Sequence, residues 1–280
     1  MIKVKQVGKH EWRFVYPPQY YELMDKFHKG IELWETGRIR SAKKVYKEVI
    51  EEFPDFIDAY HHLGLVYEEE EKDRLAFENW LKGYQIGKQA FPPDFIPGRD
   101  LLRWAFLENR PFLRCTHALG LCFFDGGNLA KGIELFEFII SVNPNDNQGI
   151  RILLVDGYLK TGNYMAVLDI CDRYKGEFAV EFTYGKPYAL FKMGDKEKAT
   201  FLLKKAIRKS PKVVRELLKK RHTPPKTLFP DRYIVGGEDE AYYYWERNGI
   251  LWDDPEMKEW LTQVAKSGRR SGQSGSGLDF

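Results

Sequence analysis

Cysteine is scarce in this chain: Cys115, Cys122 and Cys171 are the only three, and no two form a Cys-x-x-Cys pair. An odd number at such spacing argues against a disulfide framework and against a thiolate zinc site, and it fits a reducing cytoplasm. The first residues, Met1 to Trp12, interleave Lys, Val and Gly. They lack the apolar core of about 7 to 15 residues that a secretory signal needs. No run of about 18 apolar residues exists to cross a bilayer. A cytoplasmic location without a membrane partner is therefore expected. Charge of one sign is not in excess either: 44 basic and 41 acidic residues leave a net +3, so bulk composition makes no case for a polyanionic partner. The chain also has no Gly-rich phosphate loop, no Gly-x-Ser-x-Gly and no His-Glu-x-x-His. No enzyme, catalytic residue or cofactor is expected. His61 and His62 are adjacent, so on a helix their side chains diverge by about 100° and cannot chelate one ion; no metal is expected.

What is present is enough apolar matter for a core, 43% hydrophobic residues and 15% aromatic ones, and a repeat. Gly30 recurs as Gly64, Ala42 as Ala76 and Tyr46 as Trp80, each 34 residues on. The stretch from Ile57 to Lys88 shows the pattern most fully, with Tyr60, Leu63, Gly64, Tyr67, Ala76 and Trp80 where two antiparallel helices would press together. Small residues stand where backbones approach and large ones fill the holes. The register is lost across Phe91 to Pro111, returns with Leu119, Gly120, Phe123, Gly127, Phe136 and Pro144, and continues with slippage through Tyr158 and Gly162, then Gly194, Ala199, Leu203, Ala206 and Pro211. Five units fit between about 23 and 211.

These residues resemble the tetratricopeptide repeat family, whose pattern is W-x2-L-G-x2-Y followed by Ala, an aromatic, Ala and Pro. The second unit matches best. The fourth matches poorly, with Val167 and Cys171 where Ala and an aromatic are usual. The segment Arg110 to Ile152, with RPFLR and NPNDNQGIR, also resembles a sub-group of uncharacterised prokaryotic tetratricopeptide proteins. The resemblance implies an all-α solenoid of about five helical hairpins with a helical C-terminal cap. Each hairpin is too small to bury its own apolar stripe and must stack on its neighbours.

Around the repeats, residues 1–19 are read as an N-terminal cap holding Trp12, Phe14 and Tyr16, 20–90 as repeats one and two, 91–112 as an insertion, and 113–211 as repeats three to five. Residues 212–266 are read as capping helices and a Pro/Gly-rich loop, and 267–280 as a flexible Ser/Gly-rich tail ending in Leu278-Asp279-Phe280, with the form of a tethered motif. The insertion sequence GRDLLRWAFLENR has the spacing of one short extra helix, which would interrupt the stack. Its charges Arg99, Asp100, Arg103, Glu108, Arg110 and Arg114 suit structural salt bridges better than a binding surface.

The resemblance further implies an interaction adaptor or scaffold that holds a peptide or helix of another protein in a concave groove. His117 stands in the third unit where His61 stands in the second. Placing first helices in register puts Phe27, Trp34, His61, Arg114, His117, Arg151, Tyr184 and Tyr188 on the concave side, with Ile31, Leu65 and Leu121 among them. Aromatic rings with Arg and His are the composition of a protein-binding surface; core packing is the competing explanation. The clamp that other members of this family use on chaperone C-termini needs Lys and Asn where this chain has Phe27, Ile31, His61 and Leu65, so that clamp is not expected. Two alternatives remain. Lys196 to Lys226 holds twelve basic and two acidic residues, whereas Glu48 to Glu78 holds eleven acidic and two basic ones. Such separation suits self-association or an RNA or DNA accessory role, although the aromatic residues of the basic segment fall mainly at repeat core positions. A regulatory subunit of an enzyme complex is the other.

Overall fold

The computed structural model describes residues 1–226 and 234–270, and the side chains of all of these except 268–270. The chain divides into two compact units, the first ending at Ile150 and the second beginning at Arg151.

The first unit opens with a feature absent from the sequence reading, an antiparallel hairpin of β1 (Lys3–Gly8) and β2 (Glu11–Val15). Its cause is a two-residue alternation: Val4, Trp12 and Phe14 face inward while Lys3, Lys5 and Glu11 do not. Phe14 packs its ring on Phe91 and Phe112, at 5.7 and 5.4 Å. The hairpin thus lies against the middle of the unit. Helices follow: α1 (Pro18–Glu22), then the pairs α2 (Met24–Glu35) with α3 (Ile39–Glu52), α4 (Ile57–Glu69) with α5 (Asp73–Gln89), and α6 (Arg110–Asp125) with α7 (Leu129–Val142). Each pair is joined by a tight turn with one residue in the left-handed region, Gly37, Glu71 and Gly127. The contact that defines the pair lies seven residues earlier, where a Cβ on Gly64 would stand 2.2 Å from Trp80 Nε1. Gly30 faces Tyr46 and Gly120 faces Phe136 in the same way.

The insertion does not form the extra helix that its apolar spacing predicts, nor does it interrupt the stack. Residues 91–106 are an irregular loop, followed by a single 3-10 turn, Leu107–Asn109. Meanwhile α5 and α6 pack directly, so closely that a Cβ on Gly87 would lie 2.1 Å from the Phe112 ring. The loop is fastened to the hairpin instead. Leu101 N–H donates to His10 O and Trp12 N–H to Leu101 O. The fully buried Asn109 amide donates to Trp12 O at 3.1 Å and accepts from Phe14 N–H at 3.0 Å. The carboxylate of Asp100, 1% exposed, takes Arg99, the Ile96 N–H and His10, which holds its carboxyl well below the usual range, the Arg99 hydrogen bond foremost. A helix here would leave the exposed edge of β2 without its partners, and paired backbone wins over propensity.

The second unit holds two more helix pairs, α8 (Ile150–Lys160) with α9 (Tyr164–Arg173) and α10 (Val180–Lys192) with α11 (Lys196–Lys209), whose turns again carry left-handed glycines, Gly162 and Gly194. Asn163 and Asp195 cap the second helix of each pair by accepting from Ala166 and Lys198 N–H. The cap is α12 (Pro211–Leu217), followed by α13 (Glu238–Trp252) and α14 (Pro255–Arg270). Tyr244 and Trp252 of α13 pack on Tyr184 of α10, and Trp260 of α14 stacks on Phe191 at 4.3 Å. The helix of α14 runs four residues into the stretch read as tail, through Arg270. The remainder of that tail, 271–280, and loop residues 227–233 lie outside the described residues.

Candidate protein-binding groove

The eight residues placed on the concave side separate into three groups. Phe27, Tyr184 and Tyr188 are core residues, 2%, 0% and 3% exposed, and the surface reading of them is corrected. Phe27 is covered by Tyr46, Phe56 and His62. Tyr184 donates its hydroxyl to Ser210 O and Tyr188 to Leu251 O. Both tyrosines are roofed by α13, an element outside the repeat and so invisible to a repeat register. Trp34 is half-buried at the side, its indole N–H on Glu69, and Arg151 is held by Glu177 at 2.6 Å and over the Tyr174 ring. The third group, His61, Arg114 and His117, is brought together.

These three line one groove of about 920 Å³ in the first unit, between α4, α5 and α6. The helices present it by their period: His61, Leu65 and Glu68 succeed one another on one face of α4, and Arg114, His117, Leu121 and Asp125 on one face of α6. At the first end of these faces the groove is polar. His61 is 8% exposed and its Nδ1 has no hydrogen-bond partner. Arg114 reaches Asp58 at 3.4 Å through one terminal nitrogen, while its buried Nε has no acceptor. The Gln148 amide nitrogen donates to Leu113 O at 3.2 Å and to His117 Nδ1 at 3.3 Å, which places the His117 proton on Nε2 and leaves the buried Gln148 Oε1 unpartnered.

Both imidazoles are neutral near pH 7. Burial pushes His61 well below its ordinary range, and the neighbouring His62, Arg114 and His117 push the same way. Burial lowers His117 to about 4. The groove's middle is apolar, with Leu65, Phe77 and Leu121, and the insertion contributes the half-buried Trp104 as a lip. Its far end carries Glu68, Asp73 and Asp125.

Such a surface offers an amide-sized set of unmet partners, donors at Arg114 and acceptors at Gln148, beside apolar walls. Unpaired buried polar atoms cost about 1–3 kcal/mol each, and a polar ligand that reaches them recovers that cost. Sequence reasoning missed Gln148, Phe77, Trp104 and the three carboxylates. The α4 and α6 members were legible, since they continue the periods of His61 and Arg114. Gln148 and Trp104 lie on loops, where no period operates. Among the described residues, no group of three or more His, Cys, Asp or Glu side chains could hold a metal ion, and no helix is long and apolar enough to cross a membrane.

Five helix pairs with a shared turn geometry define a tetratricopeptide repeat protein of the all-α solenoid class. Residues 48–275 match the model of the family described as Transcriptional repressor TCF25. That span takes in most of the chain, which belongs to this family. No match is found among curated protein sequences. Among solved structures, the chain is similar to a tetratricopeptide repeat protein from Parabacteroides merdae, with a TM-score of 0.51 and 13% identity over 94% of this chain and 95% of that one. It is also similar to the MamA protein, with a TM-score of 0.48 and 17% identity over 74% of this chain and 98% of that one. YrrB, described as a TPR protein with an unusual peptide-binding site, gives 0.49 and 15% over 66% and 85%. At these identities the likeness concerns the fold.

Proposed function

We propose that this protein is an interaction scaffold and that the groove between α4, α5 and α6 holds an extended segment of a partner protein. The observation that carries the reading is the buried, unpartnered set of His61 Nδ1, Arg114 Nε and Gln148 Oε1 along one apolar-walled channel. A peptide backbone supplies a carbonyl for the arginine and an N–H for the glutamine oxygen, and its side chains meet Leu65, Phe77 and Trp104. The family's description supports a partner that acts in transcriptional repression. No catalytic step is proposed for the chain.

The test is selection of a random 16-residue peptide library on the full chain, followed by affinity measurement on Ala118→Arg and Leu121→Arg, which fill the channel from its half-buried floor. Selected peptides are expected to lose at least about tenfold in affinity, about 1.4 kcal/mol, while circular dichroism melting stays within a few degrees of wild type. Peptides that bind both variants as well as the wild type would sink the reading.

A second reading has its own observation. In the basic segment Phe201 is 55% exposed beneath Lys205, and nearby Phe178 is 56% exposed beneath Lys209. Not all aromatic residues of this region are core, then, and ring faces beside lysines suit single-stranded RNA. Binding of an RNA oligonucleotide that weakens steeply with salt and is lost in Phe178→Ala with Phe201→Ala supports this reading; indifference to both removes it.

A further inference from the structure

We infer that the segment held in the groove carries a lysine or arginine, seated against Glu68, Asp73 and Asp125. The inference rests on the groove being a peptide site, and it assigns the chemistry of the occupant.

The groove is electrically divided. Glu68 ends the exposed face of α4, Asp125 ends α6, and Asp73 opens α5 beside them. Of the nearby cations, Arg74 also lines this end but pairs with Glu78, and Lys72 pairs with Glu70. The three carboxylates work against one another, and the Glu68 carboxyl is held above its ordinary range by partial burial first and by Asp73 and Asp125 next. The C-terminal carbonyls of α4 and α6 add partial negative charge at the same end, which the N-terminus of α5 opposes. A cation there relieves the repulsion among the three carboxylates, whereas an acidic peptide or a nucleic-acid phosphate adds to it.

The polar end differs in kind. The charge of Arg114 is paired with Asp58 through one terminal nitrogen, and what remains unmet is hydrogen-bonding capacity at Arg114 Nε, His61 and Gln148, which suits neutral backbone amides. Leu65, Phe77 and Leu121 lie between the two ends and can cover the methylene stem of a lysine or arginine. From Arg114 to Asp125 is eleven residues of helix, about 16 Å at 1.5 Å per residue. An extended chain spans that distance in about five residues at 3.3 Å each. The occupant is therefore a segment whose cation stands about five residues from the residue bonded by its backbone to Arg114 and Gln148.

The experiment uses the selected peptides that depend on the groove, meaning those weakened by Ala118→Arg. They should be enriched in Lys or Arg. Neutralising the three exposed carboxylates together, as Glu68→Gln, Asp73→Asn and Asp125→Asn, should weaken them about tenfold and flatten the salt dependence of binding, with unchanged melting. Replacing the peptide's cation by glutamine should cost as much on the wild type and nothing more on the neutralised protein. Groove-dependent peptides without enrichment in cations, or with equal affinity for the neutralised protein, overturn the assignment and leave the groove reading standing. A selection that yields no groove-dependent peptide overturns both.

Discussion

The first three helix pairs and the last two solve the same packing problem in opposite ways. In the first unit the backbone gives way and the side chain fills: Gly30, Gly64 and Gly120 are each met by a large ring, Tyr46, Trp80 and Phe136. Counting back seven residues from the left-handed turn glycines Gly162 and Gly194 puts Val155 and Pro187 at the corresponding positions of the second unit, and their partners sixteen residues on are the smaller Cys171 and Leu203. All four are buried. The glycine has moved to Gly185 on α10, where an added Cβ would stand 2.9 Å from Val155 Cγ1. A fixed volume can be divided either way between two facing positions, because a core constrains their sum more tightly than either member. This is also why the repeat is clear in the first three units and slips in the last two, where the landmark glycine and aromatic are both gone.

The largest way to break this comparison is to impose the second unit's choice on the first. Gly64→Val drives two methyl groups into the Trp80 indole, and the loss of stability should exceed about 3 kcal/mol in urea unfolding. Adding Trp80→Leu should recover a large part of it, although the Trp80 Nε1 to His61 O bond of 3.1 Å goes with the ring. No recovery in the double variant would show that the size exchange is not what relates the two units.

The units should also part company with pH. In the first, His61 and His117 are held neutral by burial, His117 down to about 4. The unfolded chain binds more protons there, so stability from these groups is complete above the unfolded value near 6.5 and is lost as pH falls toward 4. In the second, Glu181 is 3% exposed and burial raises its carboxyl to about 7, with Asp156 adding to the shift and Arg247 opposing it. The folded form there holds the extra proton, so its contribution is complete below the unfolded value near 4.5 and is lost as pH rises toward 7. Urea midpoints measured from pH 4.5 to 7.5 should therefore change less in the wild type than in either variant. Glu181→Gln should remove the loss at high pH and His117→Gln part of the loss at low pH. A parallel pH response in both variants would remove the contrast.

The smallest effect sharpens the turns. Four of the five pairs have glycine at the left-handed turn position, and the second has Glu71 at φ 56°. Glu71→Gly removes the strain of a side chain in that region at some cost in unfolded-chain entropy, for a net gain of about 0.5–1 kcal/mol in thermal unfolding. Gly127→Glu should show the opposite sign.

The sequence by itself determined the five helix pairs, since helix period and the tight turn between two helices are local properties that each pair carries within itself. It also placed His61, Arg114 and His117 on one side, because helices in register repeat their faces. Tertiary structure alone decided which of those faces stays open. Phe27 falls in the same register position as His61 yet is closed over by Phe56 and His62, and Tyr184 and Tyr188 are sealed by a helix that follows no repeat. The pairing of β2 with the insertion, and the meeting of Gln148 and Trp104 with the groove, likewise join residues far apart in the chain. Their positions are fixed by backbone hydrogen bonds and packing between elements, and no period in the sequence encodes those.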